Sequence, residues 1–508
     1  MISDKTSSIT RKDVLALLGG GILAAGAGAK IAIASDRAIL KISFRSSIKR
    51  LDPAFTISSD EYIATQSIYD NLTRLDANLS VIPGVADSWS SPDSGKTWAF
   101  KLHKGVRFHH GRELEANDVV FSARRVLDPK AGSPGRRAIG PIAEVVATDP
   151  LTVTFTLEGP FADFPAIMSG TFMRIVPADA SENLDQKPIG TGPFRFAEWV
   201  SGQAVNLVRN PEYWMSGLPR LDEVRLVSYP VQAAEQAALS SGETQMMWEV
   251  QASLEPAIKK LPNIEVTEIS STGFQPLVMR SDRPPFNDPR VRQAVKHAIS
   301  RDLVTRFVLQ GHGSVAQDTP VPPSSPFFTK VMAPPYDPTK ARALLGEAGA
   351  GELSLRLFAS NERVGCIEQA QVIKPMLEAV GIKVEIQQVP WDRFNAEVWK
   401  KETFFISNWV GRPTIDEELY PYFHSTGSWN EYNYANPEVD RLLDQARREL
   451  DLTARKAEYA KVQEILAAEG PAVICYFSNY ISAKVSSLED TPPNPLKWLD
   501  LRESRFKA

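Results

Sequence analysis

The residues able to carry chemistry are few and scattered. Six histidines occur in 508 residues: His103, His109, His110, His297, His312 and His424. Only His109 and His110 are neighbours, and successive strand residues point to opposite faces, so they make a poor chelate. His297 falls within a helical pattern and reads as structural. His424, in Tyr422-Phe423-His424-Ser425, is a candidate ligand contact. Cys366 and Cys475 are the only cysteines, which excludes a disulfide scaffold and a four-thiolate zinc site. They can pair with each other or remain two buried thiols. No Gly-x-Ser-x-Gly elbow, phosphate loop or dinucleotide fingerprint occurs. The acidic pair Glu417-Glu418 reads as part of a solvated face. The expectation is a chain with no catalytic residues, no metal and no cofactor. A secreted hydrolase is the rival from another class.

The elements that would position these residues alternate strand and helix. Val153, Phe155 and Leu157 alternate with threonines, the period of a half-buried strand. Trp98, Phe100 and Leu102 repeat the pattern, and 53–170 reads as rich in strands and turns. Leu353, Leu355 and Leu357, a helix over 366–379 stopped by Gly381, and Ile382, Val384 and Ile386 have the length of a βαβ unit with a parallel sheet. Three helices open alike, at Asp288-Pro289, Asp337-Pro338 and Asn436-Pro437. Asx caps the free N–H groups, and Pro at the first helical position loses no hydrogen bond. Apolar residues then follow at helical spacing, so each helix packs on a core.

At 43% hydrophobic and 23% charged residues the composition is globular, and 508 residues exceed one core. A formal charge of −4 with no long basic run leaves no nucleic-acid footprint. Residues 1–34 read as a cleavable export signal. Lys5, Arg11 and Lys12 precede a glycine-diluted apolar stretch, and Ala32-Ile33-Ala34 offers a small-residue cleavage site. Thr10-Arg11-Lys12-Asp13-Val14-Leu15 resembles a twin-arginine signal with Lys in the second position; the general secretory route stays open. Without a cysteine near the cleavage site, the expected destination is the periplasm as a free protein, a monomer.

A series of segments then carries a family resemblance. It comprises Tyr69-Asp70-Asn71-Leu72, Pro83-Gly84-Val85-Ala86-Asp87-Ser88-Trp89, Lys104-Gly105-Val106-Arg107-Phe108-His109-His110-Gly111, Gly190-Thr191-Gly192-Pro193-Phe194, Arg209-Asn210-Pro211-Glu212-Tyr213-Trp214 and Asn436-Pro437-Glu438-Val439-Asp440. In this order they closely resemble the extracellular solute-binding proteins, family 5, the dipeptide, oligopeptide and nickel class of ABC importers. The resemblance implies an α/β, two-lobe periplasmic binding protein fold with a hinge. Lobe one would span 35–265, with an extra strand-rich subdomain at about 53–170. Lobe two would span 270–475, and 476–508 would return to lobe one. Gly190 to Phe194 reads as a tight turn.

The resemblance also implies where specificity lies. In peptide-binding relatives an Asp three residues after the position of Trp409 receives the peptide's ammonium group; here that position is Arg412. A guanidinium favours a carboxylate instead, unless it pairs internally with Asp416. Arg363 lies where relatives place a carboxylate-binding Arg. Trp409, Trp391 and Trp248 are candidates to stack on ligand. Ser58 and Asp60 lie in a segment that faces the cleft in relatives, and Asp60 or Asp416 would receive an amine. The expected function is delivery of a small, partly anionic solute to an ABC importer permease. That solute would be a di- or tripeptide, a glutathione-like γ-linked peptide or an opine-like conjugate. A nickel-chelate binder using His424 is the alternative, and a chaperone-like binder of unfolded segments a further one.

Overall fold

A computed structural model describes residues 37–507, with Ser46 and Pro230 excepted. The predicted export signal at 1–34 lies outside the described residues. Among those residues no helix is long and apolar enough to cross a membrane.

The frame is one eleven-stranded mixed sheet. Two long strands, Ile264–Met279 and Ala472–Val485, run antiparallel along its middle, from Ile264 opposite Val485 to Val278 opposite Ala472. On one side follow Met246–Met247, Ile39–Phe44, Glu223–Ser228, Ala204–Arg209 and Phe194–Val200. On the other follow Phe404–Ile406, Leu353–Ser360 and Ile382–Val389, and the short strand Gly313–Val315 pairs with Ala472–Val485 off this path. Both long strands therefore belong to both halves of the sheet. Separate apolar clusters form on each half. Leu40, Ile63, Phe194 and Tyr480 pack together on the first, and Leu277, Leu357, Ile373 and Val473 on the second.

The βαβ pattern is realised as read. Leu353–Ser360 pairs parallel with Ile382–Val389 across the helix Cys366–Glu378. All three Asx caps form: Asp288 accepts from the Arg290 N–H, Asp337 from Lys340, and Asn436 from Glu438 and Val439. Cys366 and Cys475 are unpaired, buried thiols in one apolar cluster, and burial pushes each up to about 12.

Within 53–170 a four-stranded antiparallel sheet, Ala86–Ser90, Thr97–Leu102, Thr152–Leu157 and Ile142–Asp149, is covered by the helix Ala116–Leu127. Its core holds Phe100, Phe155 and Phe164. The helix Ser59–Ile68 instead packs into the first half's core through Ile63, Ala64 and Ile68.

Three of the motif segments and Arg502, near the C-terminus, meet at one buried carboxylate. Asp70 accepts from Thr191 Oγ1 (3.2 Å), the Tyr213 hydroxyl (3.2 Å), Trp214 Nε1 (3.0 Å) and Arg502 (3.1 Å). Gly192 sits there because a Cβ would lie 2.5 Å from the Ile68 carbonyl carbon. Those residues hold the fold together.

Candidate functional site

The long-strand ladder breaks between Ser270 and Pro276. At the break Ser271 Oγ donates to the Ser478 carbonyl at 2.6 Å. Phe274, still opposite Phe477, exchanges two 3.0 Å backbone hydrogen bonds with Trp409 on its other side. The irregularity thus fixes the start of the 409–414 segment at the crossover between the sheet halves. Close contact holds its middle: a Cβ on Gly411 would lie 1.3 Å from Thr272 Oγ1. Thr414 ends the segment by capping the helix Ile415–Phe423, its side chain accepting from the Glu417 N–H.

Arg412 is the exceptional member. Its Cζ lies 4.6 Å from the centre of the Trp429 ring, and its buried Nε has no hydrogen-bond partner. Among the described residues no carboxylate lies within ion-pair distance of it. Burial works against its charge, yet the facing Tyr422 hydroxyl and Glu417 hold its pKa above the usual guanidinium value. Arg412 also lines a cavity of about 510 Å³, the size of a small-molecule site. The subdomain contributes Trp89, Trp98 and Asp163 to that wall, and the second half contributes Phe327, Glu418 and Arg455.

Asp416 does not pair with Arg412. It is 2% exposed and receives Arg447 through two hydrogen bonds, Nε at 3.0 Å and Nη2 at 2.8 Å. Burial pushes its pKa up and Arg447 opposes this. The carboxylate is therefore committed to the neighbouring helix and is not placed to receive an amine.

Trp409 is half-buried beside Arg412's platform, with its ring 5.9 Å from Trp429 and 4.5 Å from Tyr422. Its Nε1 donates to buried Glu431 at 2.8 Å, and Glu431 also accepts from Ser407 (2.8 Å) and Trp399 (2.9 Å). Burial raises Glu431 to about 7 against those three donors. Arg363 repeats the stacking, with Cζ 4.2 Å over the Trp391 ring and a buried, unpartnered Nε. Its loop is tied to the Trp409 segment by Gln275, whose Nε2 bonds the Val364 carbonyl (2.7 Å) and Asn408 Oδ1 (2.8 Å).

The remaining candidates have structural duties. Ser58 caps the helix Ser59–Ile68 in a reciprocal box with Glu61. Asp60 is buried in that helix's first turn, close enough to raise the pKa of Glu235. Trp248 is a core residue, packed on Phe44 and Tyr480 with Nε1 on the Lys497 carbonyl. His424 closes the helix Ile415–Phe423, stacks 4.2 Å from Tyr420 and accepts from Thr426. Neither it nor Trp248 lines the cavity. His109 and His110 lie in a turn and not on a strand, and they meet different partners: His109 binds Gly192, and His110 faces Asp179 at 3.6 Å.

Sequence reasoning missed two groups. Glu418 lines the cavity instead of facing solvent, because the fold turns this side of its helix inward. Thr272 also lines it, with a buried Oγ1 that has no partner. Nothing local in the sequence marked either residue.

Comparison with known proteins places this geometry. The family described as bacterial extracellular solute-binding proteins, family 5, matches residues 80–430. The glutathione-binding protein GsiB of Pectobacterium atrosepticum is 28% identical over 489 residues, 93% of this chain and 94% of that one. The periplasmic binding protein DppA of Helicobacter pylori, solved with the peptide STSA, superposes with a TM-score of 0.79 at 26% identity, covering 92% of this chain and 98% of its own. HbpA2 of Haemophilus parasuis, at 24% identity and a TM-score of 0.82 over 92% and 100% of the two chains, shares the fold. The architecture is that of a two-lobe periplasmic binding protein, and the chain belongs to the bacterial extracellular solute-binding proteins, family 5.

Proposed function

We propose that this chain is the periplasmic solute-binding component of an ABC importer and that it holds its solute by a carboxylate on Arg412. Its family is one of binding proteins and not of enzymes. The observation that carries the reading is the state of Arg412: a guanidinium on a cavity wall, stacked on Trp429, with no carboxylate in ion-pair range. A desolvated charge without a counter-ion is costly, and a ligand carboxylate supplies one. The two strands that join the sheet halves are the proposed hinge, with the ladder break between Ser270 and Pro276 as its compliant point. The mature chain is proposed to begin after residue 34 and to act as a monomer.

The carboxylate could sit on a short peptide, a γ-linked peptide or an opine-like acid. Thermal shift with one of each finds the class, since binding raises stability by RT ln(1 + [L]/Kd). Arg412→Asp is expected to abolish the shift for the best solute while the far-ultraviolet circular dichroism stays unchanged. Unchanged affinity in this variant refutes the anchor. Nickel–histidine chelate is the control, because His424 faces Tyr420 and not the cavity.

A further inference from the structure

Glu418 shares the cavity wall with Arg412. It is 4% exposed, and among the described residues it forms no ion pair. The other charged pairs near it are closed on themselves. Asp163 meets Arg455 at 2.5 Å, and Asp416 meets Arg447 at 2.8 Å. Glu418 thus has no ion-pair partner, and it stands beside Arg412, whose other facing acid, Glu417, also lies outside ion-pair distance. Glu418 and Arg412 do not reach each other as an ion pair, although the Arg412 backbone N–H faces the Glu418 carboxylate. The wall also carries an uncharged polar group without a partner. Thr272 is 1% exposed, its Oγ1 has no partner, and it packs directly on Gly411, the residue before Arg412.

We propose that Glu418 receives an ammonium group of the solute while Arg412 receives its carboxylate, so that the solute is recognised through an α-amino-acid headgroup. This rests on the reading of Arg412 as the anion anchor and adds the second charge. A solute carrying carboxylates alone would gain at Arg412 and offer Glu418 no counter-charge. A plain dipeptide carries its two charges at opposite ends. A γ-linked peptide or a free amino-acid headgroup carries both on one carbon, as neighbouring groups on one wall require. Burial lifts the Glu418 pKa well above the ordinary carboxylate range, with Glu417 adding to this and Arg412 opposing it. An arriving ammonium supplies the missing counter-charge. Thr272 is placed to hydrogen-bond the same headgroup.

Glutathione and its des-amino analogue, in which glutaryl replaces γ-glutamyl, separate the two charges: both keep a carboxylate at that end, and only the first has the amine. Calorimetric titration of the wild type is expected to favour glutathione by roughly 30-fold, the scale of a charge-assisted hydrogen bond. Glu418→Gln is expected to bring the two within about threefold while the analogue still binds. Equal binding of both by the wild type, no binding of either, or a preference that survives in E418Q overturns the inference. Preference lost in E418Q together with unchanged glutathione affinity in R412D leaves Glu418 as the amine acceptor and refutes the Arg412 anchor instead.

Discussion

Replacing Asp163 by Asn probes whether the two sides of the cavity must touch for the solute to be held. Asp163 belongs to the subdomain, and its carboxylate lies 2.5 Å from Arg455 on the helix Leu452–Glu469. The same seam includes the Ala162 N–H on the Arg447 carbonyl (2.9 Å) and the Arg447 guanidinium over Phe161 at 5.1 Å. Arg455 is buried here, and its Nε also bonds the Ala446 carbonyl. Removing one partner of a buried pair typically costs about 3–5 kcal/mol, because the other charge is left uncompensated. If the seam opens when the lobes part, Arg455 regains water in the open form, and the cost falls on the closed form alone. A penalty of ~3 kcal/mol on closure weakens solute affinity by about 150-fold. Calorimetry on D163N measures that loss, and small-angle scattering at saturating solute measures closure. The melting temperature of the unliganded protein should move little. Unaltered affinity would show that the seam contributes nothing to closure, and an equal loss of stability without solute would show that it is a fixed structural joint.

Two further outcomes follow from buried charges elsewhere. His109 is held neutral: its Nε2 donates to the Gly192 carbonyl at 3.0 Å, its Nδ1 accepts the Gly190 N–H at 3.4 Å, and burial lowers its pKa to about 4. The unfolded chain, with an ordinary value near ~6.5, binds the extra proton first, so this stability is full above that pH and is lost as pH falls toward 4, by up to about 3 kcal/mol. Urea titrations at several pH values should show that slope in the wild type and a shallower one in His109→Gln; equal slopes contradict the assignment. Asp318 is fully buried between Lys296 (3.1 Å) and Arg301 (Nε at 2.9 Å) and accepts the Ile474 N–H at 3.0 Å, tying a long central strand to two helices. Asp318→Asn should lower unfolding free energy by about 3–5 kcal/mol in urea, and a loss below about 1 kcal/mol would show that the two cations find other partners.

What was legible in the sequence was local. The Asx-Pro caps and the 353–389 unit depend on contacts within one element or between neighbours, and each formed as read. The threonine-spaced strand was legible too, with Val153, Phe155 and Leu157 inward. Longer reach was not. Asp416 had a cation four residues away at Arg412, yet it chose Arg447, 31 residues on, because the helix Pro437–Arg448 packs alongside. Glu418 looked like half of a solvated acidic pair because nothing in a single helix says which side a cavity will occupy. Trp248 could not be told from a ligand platform until Phe44 and Tyr480 were seen around it. The crossover at Ser270 to Pro276 was invisible, since it arises from pairing between strands some 200 residues apart.

The account stands on a solute gripped by Arg412 and released unchanged. Mass spectrometry of the exported protein, native and then denatured, tests it most directly. The account predicts a carboxylate-bearing small molecule on the wild type, recovered intact and missing from R412D. An equally loaded R412D, or a wild type that returns its solute cleaved, would contradict it.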